Sequence, residues 1–363
     1  MNDPKRPDQH RHRQLFVHQR LQGWPLNYTP ASTISAVSVA CLVAASLGAA
    51  LLSYNAQIIE VRARYDSAGP MAGLNAAQQQ AAIKEAPDGG LLANVWLSID
   101  QHMQAPIYLY YELNQFYGNH KRFVRSVALQ QLLHAAPAAD SCDPQQFART
   151  PDGRPTRAQI NPCGLRAWSY FNDSFSLART PPSDSHGGQS TCGPSSPTGA
   201  SQGAAGDAPL HIDEAAILRG PLSSSLFPAT PPQHFNTQPA FRGGGPLQSF
   251  QSPHFLEWMR LSSHPTTRKL YAVLNESLPA GTCLRISVAN RYNSYGYNSE
   301  KSVVLSTLGP LGLGRNPFLG VLYVAASGCL LLATAAVVLG SAFMRKRPGD
   351  LSQLSWNRSA GQA

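Results

Sequence analysis

Residues 316–344 read NPFLGVLYVAASGCLLLATAAVVLGSAFM, a run without a single charged side chain. Such a stretch is too long and too apolar for an ordinary core helix. It suits a membrane span, which needs about 20 residues to cross about 30 Å of hydrocarbon. The run stops against Arg345-Lys346-Arg347. A second charge-free run separates Arg20 from Glu60 and is most apolar from Ile34 to Leu52. A cleaved signal peptide is the competing expectation, but its apolar core is shorter, about 7–15 residues, and sits nearer the start of a chain. The sequence therefore predicts a two-span membrane protein. Helices over 31–54 and 316–344 enclose a large middle domain, 55–315, and residues 1–30 and 345–363 form tails.

The charge distribution gives this outline a direction. The net charge of +9 would suit a nucleic-acid binder if it were gathered on one domain. Instead, residues 1–30 carry five Lys/Arg against two acids and residues 345–363 carry four against one, so +6 of the total lies in two short tails. Basic residues flanking spans mark the cytosolic side. Both tails are expected to be cytosolic and the middle domain lumenal or exoplasmic, with no nucleic acid as partner. The His10-Arg11-His12-Arg13 segment is expected to be a solvated arm near anionic lipid heads rather than a metal site, and Trp24 and Tyr28 to be belt aromatics at the interface.

Cysteine usage agrees with that orientation. Cys41 and Cys329 lie inside the spans, where they act as small apolar residues. Cys142, Cys163, Cys192 and Cys283 lie in the middle domain, where an oxidising lumen permits two bridges. Four cysteines allow three pairings, so counting leaves the connectivity open. The Cys142-to-Cys163 segment lacks the close Cys-x-x-Cys pairs of a zinc site. Glycan acceptor sequons at Asn172 and Asn275 fall in the middle domain, whereas those at Asn27 and Asn357 fall on the cytosolic side and are expected to stay bare.

Along the middle domain, Ile58–Asp66, Pro106–Leu113, Cys283–Val288 and Ser302–Thr307 alternate as strands. A short helix is expected up to Leu133, another at His254–Leu261, and a turn region at Asn290–Asn298. Pro265–Leu274 is expected to be helical, with Pro265 in its first turn and Leu270, Val273, Leu274 and Leu278 on one face. Residues 67–95 give little signal. A mobile Pro/Ser/Gly-rich insertion is expected over 180–209, and irregular chain packed on a sheet over 219–253. His120 is read as a turn residue and Asp213-Glu214 as a solvated loop.

Several strings now fall into one order: Gln19-Arg20-Leu21 and Trp24 before the first span; Tyr108-Leu109-Tyr110-Tyr111, Phe116-Tyr117 and Asn119-His120-Lys121-Arg122; Pro162-Cys163-Gly164 and Phe171-Asn172-Asp173; Trp258-Met259-Arg260 and Arg268-Lys269-Leu270-Tyr271; Leu278-Pro279-Ala280-Gly281; and Asn316-Pro317-Phe318-Leu319-Gly320. Together they resemble the ligand-effect modulator 3 / cell division control protein 50 family, accessory β-subunits of type IV P-type ATPases that flip phospholipids. The resemblance implies an ectodomain of antiparallel β-sheet with short helices and long irregular loops. It also implies a non-catalytic subunit that forms a heterodimer with the catalytic α-subunit, supports its exit from the endoplasmic reticulum toward the Golgi or plasma membrane, and assists its transport cycle. By the same match Cys142 and Cys163 form one bridge, Asn172 carries a glycan, and Arg20, Trp24, Tyr110, Tyr111, Phe171, Asn172, Asp173, Asn316, Pro317, Phe318 and Gly320 belong to the partner interface.

Three departures stand out. Residues 67–105 hold no cysteine cluster, the expected Ile-Ala-Trp stretch appears only as Ile212-Asp213-Glu214-Ala215-Ala216-Ile217, and Cys192, Cys283 and Asn275 lack clear counterparts. A second bridge between Cys192 and Cys283 stays open. Two other classes compete with this reading. A two-span ligand-gated channel calls for ionisable pore-lining residues, and neither span has one. A membrane-anchored lumenal enzyme calls for a nucleophile elbow, His-Glu-x-x-His, P-loop or metal cluster, and none occurs. No catalytic residue, cofactor or metal is expected.

Overall fold

The computed structural model describes residues 17–18, 30–86, 90–134, 142–149, 154–160, 162–181, 183–184, 190–193, 207–218, 251–309 and 314–343. The chain divides into two compact units, Tyr54–Arg315 on the one hand and Met1–Ser53 with Asn316–Ala363 on the other. The expected tails, most of the insertion over 180–209 and nearly all of the irregular chain over 219–253 lie outside the described residues.

The second unit is organised by two long helices, α1 (Pro30–Ala56) and α7 (Phe318–Phe343). Each is apolar and long enough to cross a membrane. They run antiparallel and touch through small residues. A Cβ on Gly48 would lie 2.8 Å from Val324 Cγ2, and one on Gly320 would lie 2.9 Å from the Leu52 side chain, so no larger residue fits the crossing without separating the helices. Lower down, the Cys41 thiol donates to the Ser327 carbonyl at 3.3 Å. Leu42, Leu331, Leu332 and Phe343 are left exposed, a surface that in water would aggregate and in a bilayer meets lipid or another protein.

The β-domain is a sandwich of two four-stranded antiparallel sheets. The first has the order β1-β12-β3-β10, built from β1 (Glu60–Arg64), β12 (Lys301–Thr307), β3 (Ile107–Leu113) and β10 (Thr267–Leu274). The second has the order β2-β11-β6-β9, from β2 (Leu91–Ile99), β11 (Thr282–Asn290), β6 (Ser174–Thr180) and β9 (Ala208–Leu210). Their facing side chains form one core, with Leu109, Leu274 and Leu305 from the first sheet against Leu97, Ile286 and Leu177 from the second. Phe255 and Trp258 of α6 (Pro253–Met259) close one side of it.

Elsewhere the helices are short: α2 (Ala76–Glu85), α3 (Lys121–Arg125), α4 (Leu129–His134) and α5 (Leu165–Trp168). His120 is the N-cap of α3, its Nδ1 accepting from Arg122 N at 3.3 Å. Small ladders β4 (Phe147–Arg149) with β5 (Pro155–Gln159) and β7 (Ser183–Asp184) with β8 (Ser190–Thr191) lie outside the two sheets.

Two expectations are corrected here. Pro265–Leu274 is not a helix: its residues from Thr267 onward form strand β10 along β3. The register shifts between Leu270 and Ala272, so Tyr271 is an extra, bulged residue. Tyr271, Ala272 and Val273 are consecutively buried, which destroys the period-2 signal and leaves apolar spacings of three and four that imitate a helix face. The weakly marked region 67–95 also contains structure. Asn75 and Gln78 form a reciprocal capping box at 2.9 and 3.0 Å that starts α2, and β2 follows with Ala93, Val95, Leu97 and Ile99 facing the core.

The disulfides join Cys142 to Cys163 and Cys192 to Cys283. The first closes a polar loop against Ala128, Ile160 and Trp168, and the second ties the chain beyond β8 to strand β11. Gly164, next to Cys163, has φ +105°, and a Cβ there would lie 2.5 Å from the Ser126 carbonyl oxygen. The Pro162-Cys163-Gly164 string thus needs glycine for a sharp, closely packed turn.

Candidate partner interface

The Phe171-Asn172-Asp173 string leads from α5 into β6 and is anchored by a buried ion pair. Asp173 Oδ2 accepts from Lys301 Nζ at 2.8 Å and from the Tyr65 hydroxyl at 2.8 Å. Asp173 Oδ1 accepts from the backbone N–H groups of Arg291 and Tyr292, both at 2.6 Å. Lys301 also donates to the Tyr292 carbonyl at 2.7 Å and to Asn290 Oδ1, and its ammonium lies over the rings of Tyr65 and Tyr295. Every donor and acceptor of the pair is used, which is the condition under which charge tolerates a dry interior. Burial still pushes the Lys301 ammonium pKa below its ordinary value, against the pull of Asp173, and pushes the Tyr65 phenol well up. One side chain from β12 therefore holds β1, the approach to β6 and the turn after β11 together.

Next to this anchor, a cleft of about 620 Å³ opens on the β-domain surface. Tyr111 and Phe171 stack at 3.8 Å between ring centroids to make its floor. Tyr170, Asn172, His254 and Tyr271 stand around it. Glu214 faces His254 with 2.9 Å between Oε2 and Nε2, and that hydrogen bond holds the carboxyl below its usual range. Because a carboxylate can only accept, Nε2 carries the proton. Asp213-Glu214 is therefore not a free loop pair. Asp213 exchanges backbone hydrogen bonds with Val273 at 2.8 and 3.0 Å, laying this segment along β10.

The outer face of the first sheet carries a ladder of charge around Tyr110. Glu112 lies between Arg62 and Arg268, at 2.7 and 2.8 Å, and Arg268 reaches on to Glu60 at 2.8 Å. Tyr108 and Tyr110 stack beside it at 6.4 Å, and burial raises the Tyr110 phenol to about 12.

These positions sort the eleven residues expected at an interface. Tyr111, Phe171 and Asp173 are buried within the domain, at 3%, 4% and 4% exposure. Tyr110 and Asn172 are half-buried. At the start of α7, Asn316 Oδ1 accepts from the Phe318 N–H at 3.1 Å and the Pro317 carbonyl accepts from Val321 N at 2.9 Å, so Asn316-Pro317 forms the entry turn of the helix. Phe318 is exposed and Gly320 is buried against Leu52. Arg20 and Trp24 lie outside the described residues. Asn275 is exposed just beyond β10.

Sequence reasoning missed Lys301, which reads as an ordinary charge at the start of a strand. It also missed the Glu214–His254 pair, whose members are 40 positions apart. Among the described residues no cluster of metal-ligating side chains occurs.

Comparison with known proteins fits this architecture. The model of the LEM3 (ligand-effect modulator 3) family / CDC50 family matches residues 51–348. ALA-interacting subunit 3 of Arabidopsis thaliana is 30% identical over 360 residues, covering 95% of this chain and 90% of that protein. Cell cycle control protein 50B of Homo sapiens is 32% identical over 257 residues, 67% of this chain and 68% of its own length. A Chaetomium thermophilum protein named phospholipid-transporting ATPase accessory subunit CDC50 is 29% identical over 286 residues, 73% of this chain and 63% of its own length. With a family model spanning most of its length and relatives of this similarity, the chain belongs to the LEM3/CDC50 family.

Proposed function

We propose that this chain is the non-catalytic β-subunit of a phospholipid-transporting P-type ATPase, forming a heterodimer with the catalytic α-subunit and supporting its folding, export and transport cycle. The observation that carries this function is the family match over residues 51–348, which takes in the whole β-domain and the second span, together with a relative named as an accessory subunit of that ATPase.

An accessory role also fits the chemistry. Several of the β-domain's charged groups pair with one another, its cleft presents aromatic rings and a Glu214–His254 pair, and no metal cluster occurs among the described residues. Paired disulfides favour an oxidising compartment, and the basic tails favour cytosolic termini. Both support a β-domain in the lumen or outside the cell, in a protein that passes from the endoplasmic reticulum to the Golgi or plasma membrane. Within the interface, Tyr110, Phe318 and the exposed faces of α1 and α7 meet the partner. Tyr111, Phe171 and Asp173 act from behind by holding the cleft in shape. A subunit of this kind assists transport by contacting the states of the ATPase with unequal strength.

The test is co-purification. Affinity-tagged full-length protein solubilised in mild detergent is expected to bring down a large P-type ATPase and to move no lipid or ion when reconstituted alone. Isolation without an ATPase, with transport by the chain itself, overturns the proposal.

A further inference from the structure

The two lumenal sequons differ in their surroundings. Asn275 is exposed at the end of β10, and Ser277 of the same sequon accepts from the Ala105 N–H at 3.0 Å, so a glycan there projects into solvent. Asn172 instead forms part of the wall of the 620 Å³ cleft. Its Oδ1 is buried and has no hydrogen-bond partner, while the residue as a whole is half-exposed. Asn172 lines the cleft, so a group joined to its amide nitrogen starts at the cleft wall. Two further wall residues keep a buried polar atom without a partner, Arg291 at Nε and His254 at Nδ1. Native proteins satisfy nearly all such groups. A cleft of this size falls within the range of sites that hold small molecules.

From this juxtaposition we infer that the cleft is the seat of the first sugar residues of an N-linked glycan carried by Asn172, so that the glycan is packed into the β-domain as part of its structure. The inference rests on the lumenal placement proposed above. Attachment precedes folding: Nδ2 of Asn172 loses a proton and bonds to C1 of N-acetylglucosamine, and the sugar leaves a lipid-linked diphosphate donor, which takes the electron pair. Once the chain folds, the first ring lies along the cleft wall that Asn172 forms. Its apolar face meets the ring of Tyr170, which is only partly buried at the cleft wall. Arg291 Nε is a donor, and His254 Nδ1 is a second polar atom at the wall. A small rotation of each side chain brings these atoms to the hydroxyl and acetamido groups of the sugar, which both donate and accept.

The experiment uses the full chain with Asn172→Gln or Asn275→Gln, leaving one glycan in each variant. Both are produced in a eukaryotic host that adds mannose-rich glycans and are purified in mild detergent. An endoglycosidase that cuts between the two core N-acetylglucosamines is applied to native and to denatured protein, and release is followed by mass. On denatured protein the two glycans are expected to be released at the same rate. On native protein the Asn172 glycan is expected to be released more slowly by about tenfold or more, the factor that about 1.4 kcal/mol supplies. Arg291→Met, in the variant that keeps the Asn172 glycan, is expected to narrow that difference. Equal native rates overturn the seat and leave the lumenal placement intact, as does a glycan on Asn275 with none on Asn172. A chain bare at both positions overturns the inference and the lumenal placement together.

Discussion

Replacing Asp173 with Asn tests whether the buried pair with Lys301 holds the β-domain together. The substitution keeps the shape, and it keeps the sequon, whose middle position tolerates any residue but proline. Asn Oδ1 still accepts from the N–H groups of Arg291 and Tyr292, but an amide replaces the oxygen that faced Lys301 and Tyr65. The ammonium is left buried with two neutral acceptors, Asn290 Oδ1 and the Tyr292 carbonyl. Removing one partner of a buried pair costs about 3–5 kcal/mol, a large part of the roughly 5–15 kcal/mol that holds a domain folded. For a domain of this size that lowers Tm by roughly 6–20 °C. Lys301→Met is expected to cost less, because Asp173 would keep three donors, the Tyr65 hydroxyl and the two backbone N–H groups. Asp173→Ala is expected to cost most, since it also strands those two N–H groups at about 1–3 kcal/mol each. The double variant Asp173→Asn/Lys301→Met is expected to lose less than the sum of the single variants. Thermal unfolding of the full chain in mild detergent, followed by tryptophan fluorescence, measures all four. A Lys301→Met variant less stable than Asp173→Asn, or additive single effects, would refute the reasoning.

Three further outcomes are expected. Cys142→Ser opens the loop of 21 positions closed by Cys142–Cys163 and costs roughly 3 kcal/mol; the variant is expected to be retained in the endoplasmic reticulum, and normal export with ATPase pairing would contradict this. Gly320→Leu places a branched side chain where even a Cβ lies 2.9 Å from Leu52, so a cross-link between cysteines introduced on facing turns of α1 and α7 is expected to be lost, while Gly328→Leu, which meets no atom within 4 Å, leaves it intact. Lys269 is buried, and desolvation lowers its pKa to about 8. Its unfolded value is higher, so the unfolded chain holds the extra proton between about pH 8 and 10.5 and stability rises with pH there. Relative to Lys269→Met, the natural protein is expected to gain roughly 3 kcal/mol across that window, and a flat difference in unfolding would dismiss the shift.

What the sequence shows depends on how locally each feature is encoded. The spans are plain from composition, because crossing a bilayer demands an unbroken apolar run. Strands β1, β3, β11 and β12 are visible from their alternating, β-branched and aromatic residues, although β12 is buried at every position. The capping box at Asn75 and Gln78 was equally local, and a search for Asn-x-x-Gln before helix-forming residues would have found α2. β10 was hidden by a bulge that exists only because β3 lies beside it.

For the site, the sequence by itself determined that Tyr111, Phe171, Asn172 and Asp173 belong to one recurring pattern. It also determined the family and the two-span plan. Only the tertiary structure decided which way these residues face. Asp173 turns inward because Lys301, 128 positions later, supplies a counter-ion in a site closed to solvent. Asn172, its neighbour, stands in the wall of a cleft that also takes Tyr111, Glu214, His254 and Tyr271 from distant segments. Side-chain direction in such a place follows from pairing and burial across the fold, and no local spacing carries that information.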